Sequence, residues 1–388
     1  SLYDHDHRGL LIAMALSAIV TGGAAGSYPA LLLASLKPID ALRHMKNGTP
    51  AQPLLRKILV TFQFFVSIAL IISSLTILKQ REFFISADPG YSPENIVFAD
   101  IPDSMQGKYE DFKTVLLQHP DISGVTAARD LLTWEGPSTL VTDWDGKKGP
   151  DDFLIHYTKV DPDFIETMSI RLVAGRSFAA DTSGGGIIVN QEAVKQMELI
   201  DPVGTRVSGW GLEGRIIGVV QDFNYNNLRE KVAPMMMAVD RKQLRVAYIR
   251  ISGDNPDQAL KFIDSAWKKF EPDYPFAHLF LSDALTKLYK LEEKVGELFL
   301  AASGLALLLS CMGLYGLTSF ICEQKTKEIA IRKACGASSA DIMRMMLMMF
   351  FKLAIIANLF AWLVSYAGLS KWLQMLAYRV ELDLSLIH

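Results

Sequence analysis

Between Glu323 and Asp341 the sequence sets the cations Lys325, Lys327, Arg332 and Lys333 around Glu328 and two isoleucines, Ile329 and Ile331. The chemistry open to such a set is recognition, not turnover. Too short and too charged to span a membrane, the segment reads as a small amphipathic helix at a membrane surface. Ile329 and Lys333 are four apart and share a helix face, as do Glu328 and Arg332, which can pair. Ile329 and Ile331, two apart, cannot both face one groove squarely. The spacing predicts a short amphipathic helix stopped near Gly336, with Ser338 or Ser339 capping the next one.

Elsewhere reactive residue types are present without the spacing that chemistry needs. Gly184, Gly185 and Gly186 precede a strand but lack the Lys-Ser/Thr and the helix of a phosphate loop, so they read as a turn. Asp161, Asp163 and Glu166 crowd together as a cation site would. The simpler reading has Asp161 capping a short helix and the others favouring its positive end. His5, His7, His119, His156 and His278 show no HExxH or paired metal spacing. No Ser or Cys sits in a nucleophile elbow. The run MRMMLMMFF reads as packing surface, not as a thioether metal site. No catalytic residue, metal or cofactor follows, and the expectation is a protein that is not an enzyme.

The elements that must position the basic segment are membrane helices. Val295 to Cys322 is an apolar run with Glu297 its only charge, long enough at helical rise to cross a bilayer. Ile58–Leu78 is uncharged and of spanning length. Ile342–Ser370 carries Lys352 as its only charge past Arg344, where a lysine near an end can snorkel. Gly9–Leu36 is also uncharged and long enough. A secretory signal is the competing reading there, but the flank SLYDHDHRG is not basic and LLLASL continues the apolar run past any cleavage point. The linker Lys37–Lys57 carries Lys37, Arg43, Lys46, Arg56 and Lys57, which puts it in the cytoplasm by the positive-inside rule. Glu323–Asp341 then falls on the same side and residues 79–294 on the other.

Composition agrees. The chain is 50% hydrophobic with mean hydropathy +0.21, the apolar residues gathered toward its two ends. A net charge of -3 with no Lys/Arg block argues against nucleic acid as a partner. Cys311, Cys322 and Cys335 all lie in or beside one span, so the large central region needs no disulfide.

Within 79–294, Asn95–Ile101 and Ile122–Ala128 read as strands around a helix at Gly107–His119. Arg245–Ser252 and Phe276–Ser282 read as strands around a helix at Pro256–Phe270. Two such βαβ units predict a small α+β, porter-like module, with an inserted mixed β subdomain at about 131–244. Its strands are expected at Phe153–Val160, Ile187–Asn190, Arg215–Val220 and Met235–Val239. From Ser282 to Leu298, Leu285, Leu288, Tyr289, Val295 and Leu298 recur near helical period, and Glu292 stands among them. This predicts one straight stalk helix from the outer domain into the membrane; the rival is a surface helix kinked at Gly296.

The run KTKEIAIRKACGAS, directly after a span containing GLYGL, resembles the signature of FtsX-like permeases, the MacB-type membrane subunits of ABC transporters. GSYPALLLASLKPIDALR resembles the last span of an FtsX-like domain and its exit into the cytoplasm. VDPDFIETMSIRLVAGRSF, IIVNQEAVKQM and IIGVVQDFNYNNLREKVAPMM resemble recurrent phrases of the MacB-type periplasmic core domain. The stretch from Ser370, with Trp372 and Tyr378 as interfacial anchors, resembles the short external loop before a final span, so a piece of a longer permease is expected. The resemblance implies a transmembrane bundle plus a periplasmic α+β domain in the inner membrane. It implies that Lys325 to Gly336 is the segment seated on a separate ABC ATPase, with a second permease copy or homologous half and periplasmic or outer-membrane components as further partners. The fused members' ATPase domain has no counterpart here. A rival of another class, a membrane-anchored ligand-binding receptor, calls for a cytoplasmic output region that the sequence does not offer.

Overall fold

The structure, a computed structural model, describes residues 16, 19, 20, 22, 23, 51–132, 138–149, 153–180, 185–209, 212–252 and 256–382. The span expected at 9–36, apart from those first five helical residues, lies outside the described residues, as do 37–50 of the linker and 383–388. Two compact units divide the chain: residues 1–63 with 311–353, and residues 64–310 with 354–388.

Helix α1 (Ala51–Ser86) contains, first among the described residues, a stretch long and apolar enough to cross a membrane, Lys57–Ser86. Strand β1 (Ile96–Asp100) follows, then a 3-10 turn that starts α2 (Tyr109–Leu116) later than its hydrophobic period predicts, and then β2 (Ile122–Ala128). Across the inserted stretch lie β3 (Ser138–Trp144), β4 (Phe153–Val160), α3 (Phe164–Thr167), β5 (Leu172–Gly175), β6 (Gly186–Asn190), α4 (Gln191–Gln196), β7 (Arg206–Gly209), β8 (Leu212–Val220) and β9 (Met235–Val239). The chain then returns through β10 (Val246–Ile251), α5 (Pro256–Phe270) and β11 (His278–Phe280).

The two βαβ units interleave. Their strands lie side by side as β11-β1-β10-β2, all antiparallel. Proline at the first position starts α5, which buries Ala259, Ile263, Ala266 and Trp267 at helical spacing. Trp267 meets Phe112 of α2 edge to face at 5.6 Å, so both helices cover one side of this sheet.

The inserted stretch forms mixed β structure continuous with the same sheet. A single residue pair, Ala128 with Val160, joins β2 to β4. From β4 the pairings run through β3, β7, β8, β6 and β9 and return to β4, with β4–β9 and β6–β8 parallel. These strands therefore close on themselves, while β5 pairs with β8 off the closed path. Val141, Ile155, Val189, Val207, Ile216 and Met236 fill one side with Ala193 of α4. Asn190 fixes that helix: its Oδ1 accepts from Ala193 N–H at 3.0 Å and from Met235 N–H at 2.8 Å.

Asp161 does not cap α3; Asp163 holds the cap position without a side-chain hydrogen bond. The fully buried Asp161 carboxylate instead accepts from Asp163 N–H and meets Lys113 of α2 at 2.5 Å, while Asp163 reaches the same ammonium at 2.6 Å. What resembles a cation site in sequence is a lysine-filled ion pair joining α2 to the start of α3.

The stalk is also corrected. Helix α6 (Leu281–Leu288) takes over directly from β11, two residues before the expected end of that strand, and stops at Tyr289. Helix α7 (Lys290–Gln324) then begins. The break lies at Tyr289 and not at Gly296, whose missing side chain serves packing. A Cβ there would come within 2.8 Å of Leu78 Cδ2 of α1, and Ser74 Oγ donates to the Gly296 carbonyl at 3.0 Å. Ser67 and Ser310 meet at 3.3 Å in the same unit. The short α8 (Thr326–Ala334) and the long α9 (Ser339–Gln374) complete the described chain. Helices α7 and α9 join Lys57–Ser86 as the stretches that satisfy the length and apolarity of a membrane span.

Candidate functional site

In the first unit the basic segment is a rigidly ended helix. Cys335 N–H donates to the Ile331 carbonyl, Gly336 N–H to Lys333 and Ala337 N–H to Arg332, while Gly336 has φ +95°. These are the bonds of a Schellman motif, and its left-handed position costs a residue with a Cβ roughly 1–2 kcal/mol. Ser338 Oγ and Asp341 Oδ2 meet at 2.7 Å, with Asp341 N–H returning to Ser338 Oγ at 3.2 Å, a reciprocal cap on α9.

On α8, Glu328 pairs with Arg332 at 2.8 Å and with Lys325 at 3.1 Å. The hydrogen bond from Lys325, and then the charges of Lys325 and Arg332, hold its carboxyl below the ordinary glutamate range. Arg332 also contacts Met345. Lys325, Lys327, Arg332 and Lys333 are exposed, and α8 buries no residue. The isoleucines differ: Ile329 is half-buried, whereas Ile331 is 64% exposed. The structure thus brings Lys325, Glu328 and Arg332 together, and leaves Ile331 with more free apolar surface than Ile329.

In the second unit the stalk residues converge on Tyr289, but not as one stripe. Leu285 packs toward the core of the domain, and Leu298 is 66% exposed. Tyr289 is buried, stacked on Phe84 of α1 with centroids 4.8 Å apart, and its hydroxyl accepts from Leu228 N–H at 3.0 Å. Burial raises its phenol above the ordinary tyrosine range. Leu288 packs against the same cluster. Glu292 receives Arg229, with Nε to Oε1 at 2.9 Å and Nη2 to Oε2 at 3.0 Å. The same Nη2 donates to the Leu288 carbonyl at 3.1 Å, and the guanidinium stands 5.7 Å from the Tyr289 ring centroid. Arg229 therefore grips both sides of the helix break. Beside it Arg81 pairs with Glu293 at 3.0 Å, Ala377 N–H donates to the Arg229 carbonyl, and Gln80 bonds Tyr378 and Val380.

Arg229, Phe84, Arg81 and Gln80 went unflagged in the sequence. Arg229 stands in the loop phrase NNLRE, where no period marks it. Among the described residues no group of His, Cys, Asp or Glu is arranged to hold a metal. His119 sits tilted against Phe262, His156 meets Tyr225 edge-on and His278 stacks on Phe276.

Residues 300–388 match the family model described as FtsX-like permease C-terminal. No curated protein matches the chain. Among solved structures, the chain is similar to the periplasmic region of MacB from Actinobacillus actinomycetemcomitans, at 16% identity and TM-score 0.37, covering 51% of this chain and 94% of that one. It is similar to a domain of a permease protein from Porphyromonas gingivalis at 15% identity and TM-score 0.31, covering 41% and 68%. It is also similar to the extracellular domain of the ABC-type transporter YknZ from Gram-positive bacteria at 13% identity and TM-score 0.34, covering 47% and 97%. Among the described residues three helices have membrane-spanning character, and it is residues 300–388, the stretch holding most of the last two, that are similar to the C-terminal part of FtsX-like permeases.

Proposed function

We propose that the chain is the permease subunit of a MacB/FtsX-type ABC transporter, in which a separate ATPase seats on Lys325–Gly336 and drives movement of a periplasmic α+β domain. The observation that carries this reading is the character of α8: a short helix fixed at its C-terminal end by a Schellman motif, all four cations exposed, no residue buried, and an isoleucine presented to the outside. A helix so held and so little used by its own fold suits recognition in a groove. Helix α7 is a continuous element from Lys290 to Gln324, able to carry displacement along its length to the Arg229 grip on the Tyr289 break. The lipid bilayer of the inner membrane, a second permease copy or homologous half and periplasmic or outer-membrane components complete the proposed assembly, which serves efflux or mechanical signalling to the envelope.

The test is co-purification with a coexpressed ATPase. Ile329→Asp and Ile331→Asp each put an unpaired charge into the proposed contact, a loss of about 2 kcal/mol and so of roughly 30-fold in association. Lys325→Ala, which removes an orienting rim charge, has a smaller effect. Wild-type association and activity in both aspartate variants, at normal protein levels, excludes α8 as the coupling element.

A further inference from the structure

A cavity of about 400 Å³ opens at the last turn of α1, where the span Lys57–Ser86 ends, and reaches the α6–α7 break. Its apolar walls include Phe84, Leu285 and Tyr289, and its charged lining residues are Asp88 and Glu94, with no Lys or Arg among them. Asp88 spends one oxygen on the Gly90 N–H at 2.8 Å. Tyr91 also lines the cavity. It is 4% exposed, and its hydroxyl has no hydrogen-bond partner. Burial, then the nearby Tyr289 and Glu94, hold that phenol protonated, so it is a donor left without an acceptor. Ser282, at the start of α6, is on the lining too, and that helix start has no side-chain cap.

A ligand that answers all of these needs an ammonium group for the two carboxylates and the aromatic walls, and an oxygen acceptor for Tyr91 and the start of α6, which has no side-chain cap. An anionic head with no cation meets two like charges. We propose that this cavity binds a phosphoethanolamine-type headgroup, one zwitterion carrying both an ammonium and phosphate oxygens. The position at the end of a span gives it access to membrane phospholipid; a water-borne ester carries the same chemistry. Bound there, the headgroup lies against Tyr289, the residue at which the stalk bends.

The full chain is purified in micelles holding equal amounts of phosphatidylethanolamine and phosphatidylglycerol, and retained lipid is counted by native mass spectrometry. Wild type keeps phosphatidylethanolamine at least tenfold over phosphatidylglycerol. Asp88→Asn with Glu94→Gln abolishes the preference, and Tyr91→Phe, which keeps the ring packing, lowers retention severalfold at an unchanged melting temperature. Displacement by soluble glycerophosphoethanolamine identifies a water-borne source, and resistance to it identifies the lipid; both outcomes uphold the site. Equal retention of the two lipids by wild type, or an undiminished preference in the double variant or in Glu94→Gln alone, overturns it. No ATPase enters the measurement, so its failure leaves the coupling reading untouched.

Discussion

Replacing Arg229 by alanine removes three hydrogen bonds at once: two to the Glu292 carboxylate and one to the Leu288 carbonyl. Its partner is the more buried side, with the Glu292 side chain 12% exposed against 35% for Arg229. Breaking a buried pair costs about 3–5 kcal/mol because one charge is left stranded, and an exposed pair contributes under about 1. An arginine one-third open to water sits between these limits, so the variant should lose about 2 kcal/mol of local stability at the break. That corresponds to a roughly 30-fold larger population of the locally opened state. The amides that report it are Leu228, which donates to the Tyr289 hydroxyl, and Glu293, which donates to the Tyr289 carbonyl. Hydrogen exchange by mass spectrometry, with peptides covering 226–230 and 288–294, compares variant and wild type under conditions where reclosing is faster than chemical exchange. Acceleration confined to these peptides is expected, with the β10–β2 pairing unaffected. Exchange within threefold of wild type refutes the assignment of Arg229 as the grip on the break.

Lys113→Ala strands the fully buried Asp161 carboxylate and should destabilise the α+β domain by about 3–5 kcal/mol, read as a lower thermal midpoint of the full chain; Lys113→Arg should recover part of it. Burial pulls the Lys113 ammonium down, but Asp161 and then Asp163 more than offset this, so its pKa lies above the ordinary lysine value. A raised lysine pKa contributes stability that is complete below the unfolded value of about 10.4 and is lost as pH rises through the folded one. The difference between wild type and Lys113→Met should therefore hold constant from pH 7 to 9 and shrink only above that range. Gly336→Ala forces φ +95° on a residue with a Cβ and should cost about 1 kcal/mol, weakening ATPase association without altering membrane insertion, as co-purification and carbonate extraction would report.

The long apolar runs made the membrane helices legible, because nothing else in the sequence combines that length with so few charges. The ends of α8 were equally readable, since Gly336 and Ser338 act through local backbone geometry. Strands such as Ile122–Ala128 and the apolar run Met235–Val239 could be placed to the residue. Strands β5 and β7 escaped notice because each is only four residues long, and β3 because Asp143 interrupts its apolar pattern. Closure of the strands around β4 depends on the parallel pairing of β4 with β9, which no local pattern encodes. The break at Tyr289 was hidden for the same reason. Nothing in LTKLYKLEEK disfavours a helix there, and the interruption coincides with contacts from Phe84, Leu228 and Arg229, each far away in sequence. Likewise, the short-range carboxylate crowd at Asp161 could not reveal Lys113, 48 residues upstream, as its counter-ion.

The central claim, that ATP-driven displacement at α8 reaches the Arg229 grip through α7, is tested most directly by hydrogen exchange on the reconstituted permease and ATPase, with and without ATP. The account predicts that ATP changes exchange in the peptides covering 226–230 and 288–294, and that the change disappears when Ile329→Asp and Ile331→Asp are combined. An ATP response absent from these peptides in wild type, or persisting in full in the double variant, contradicts it.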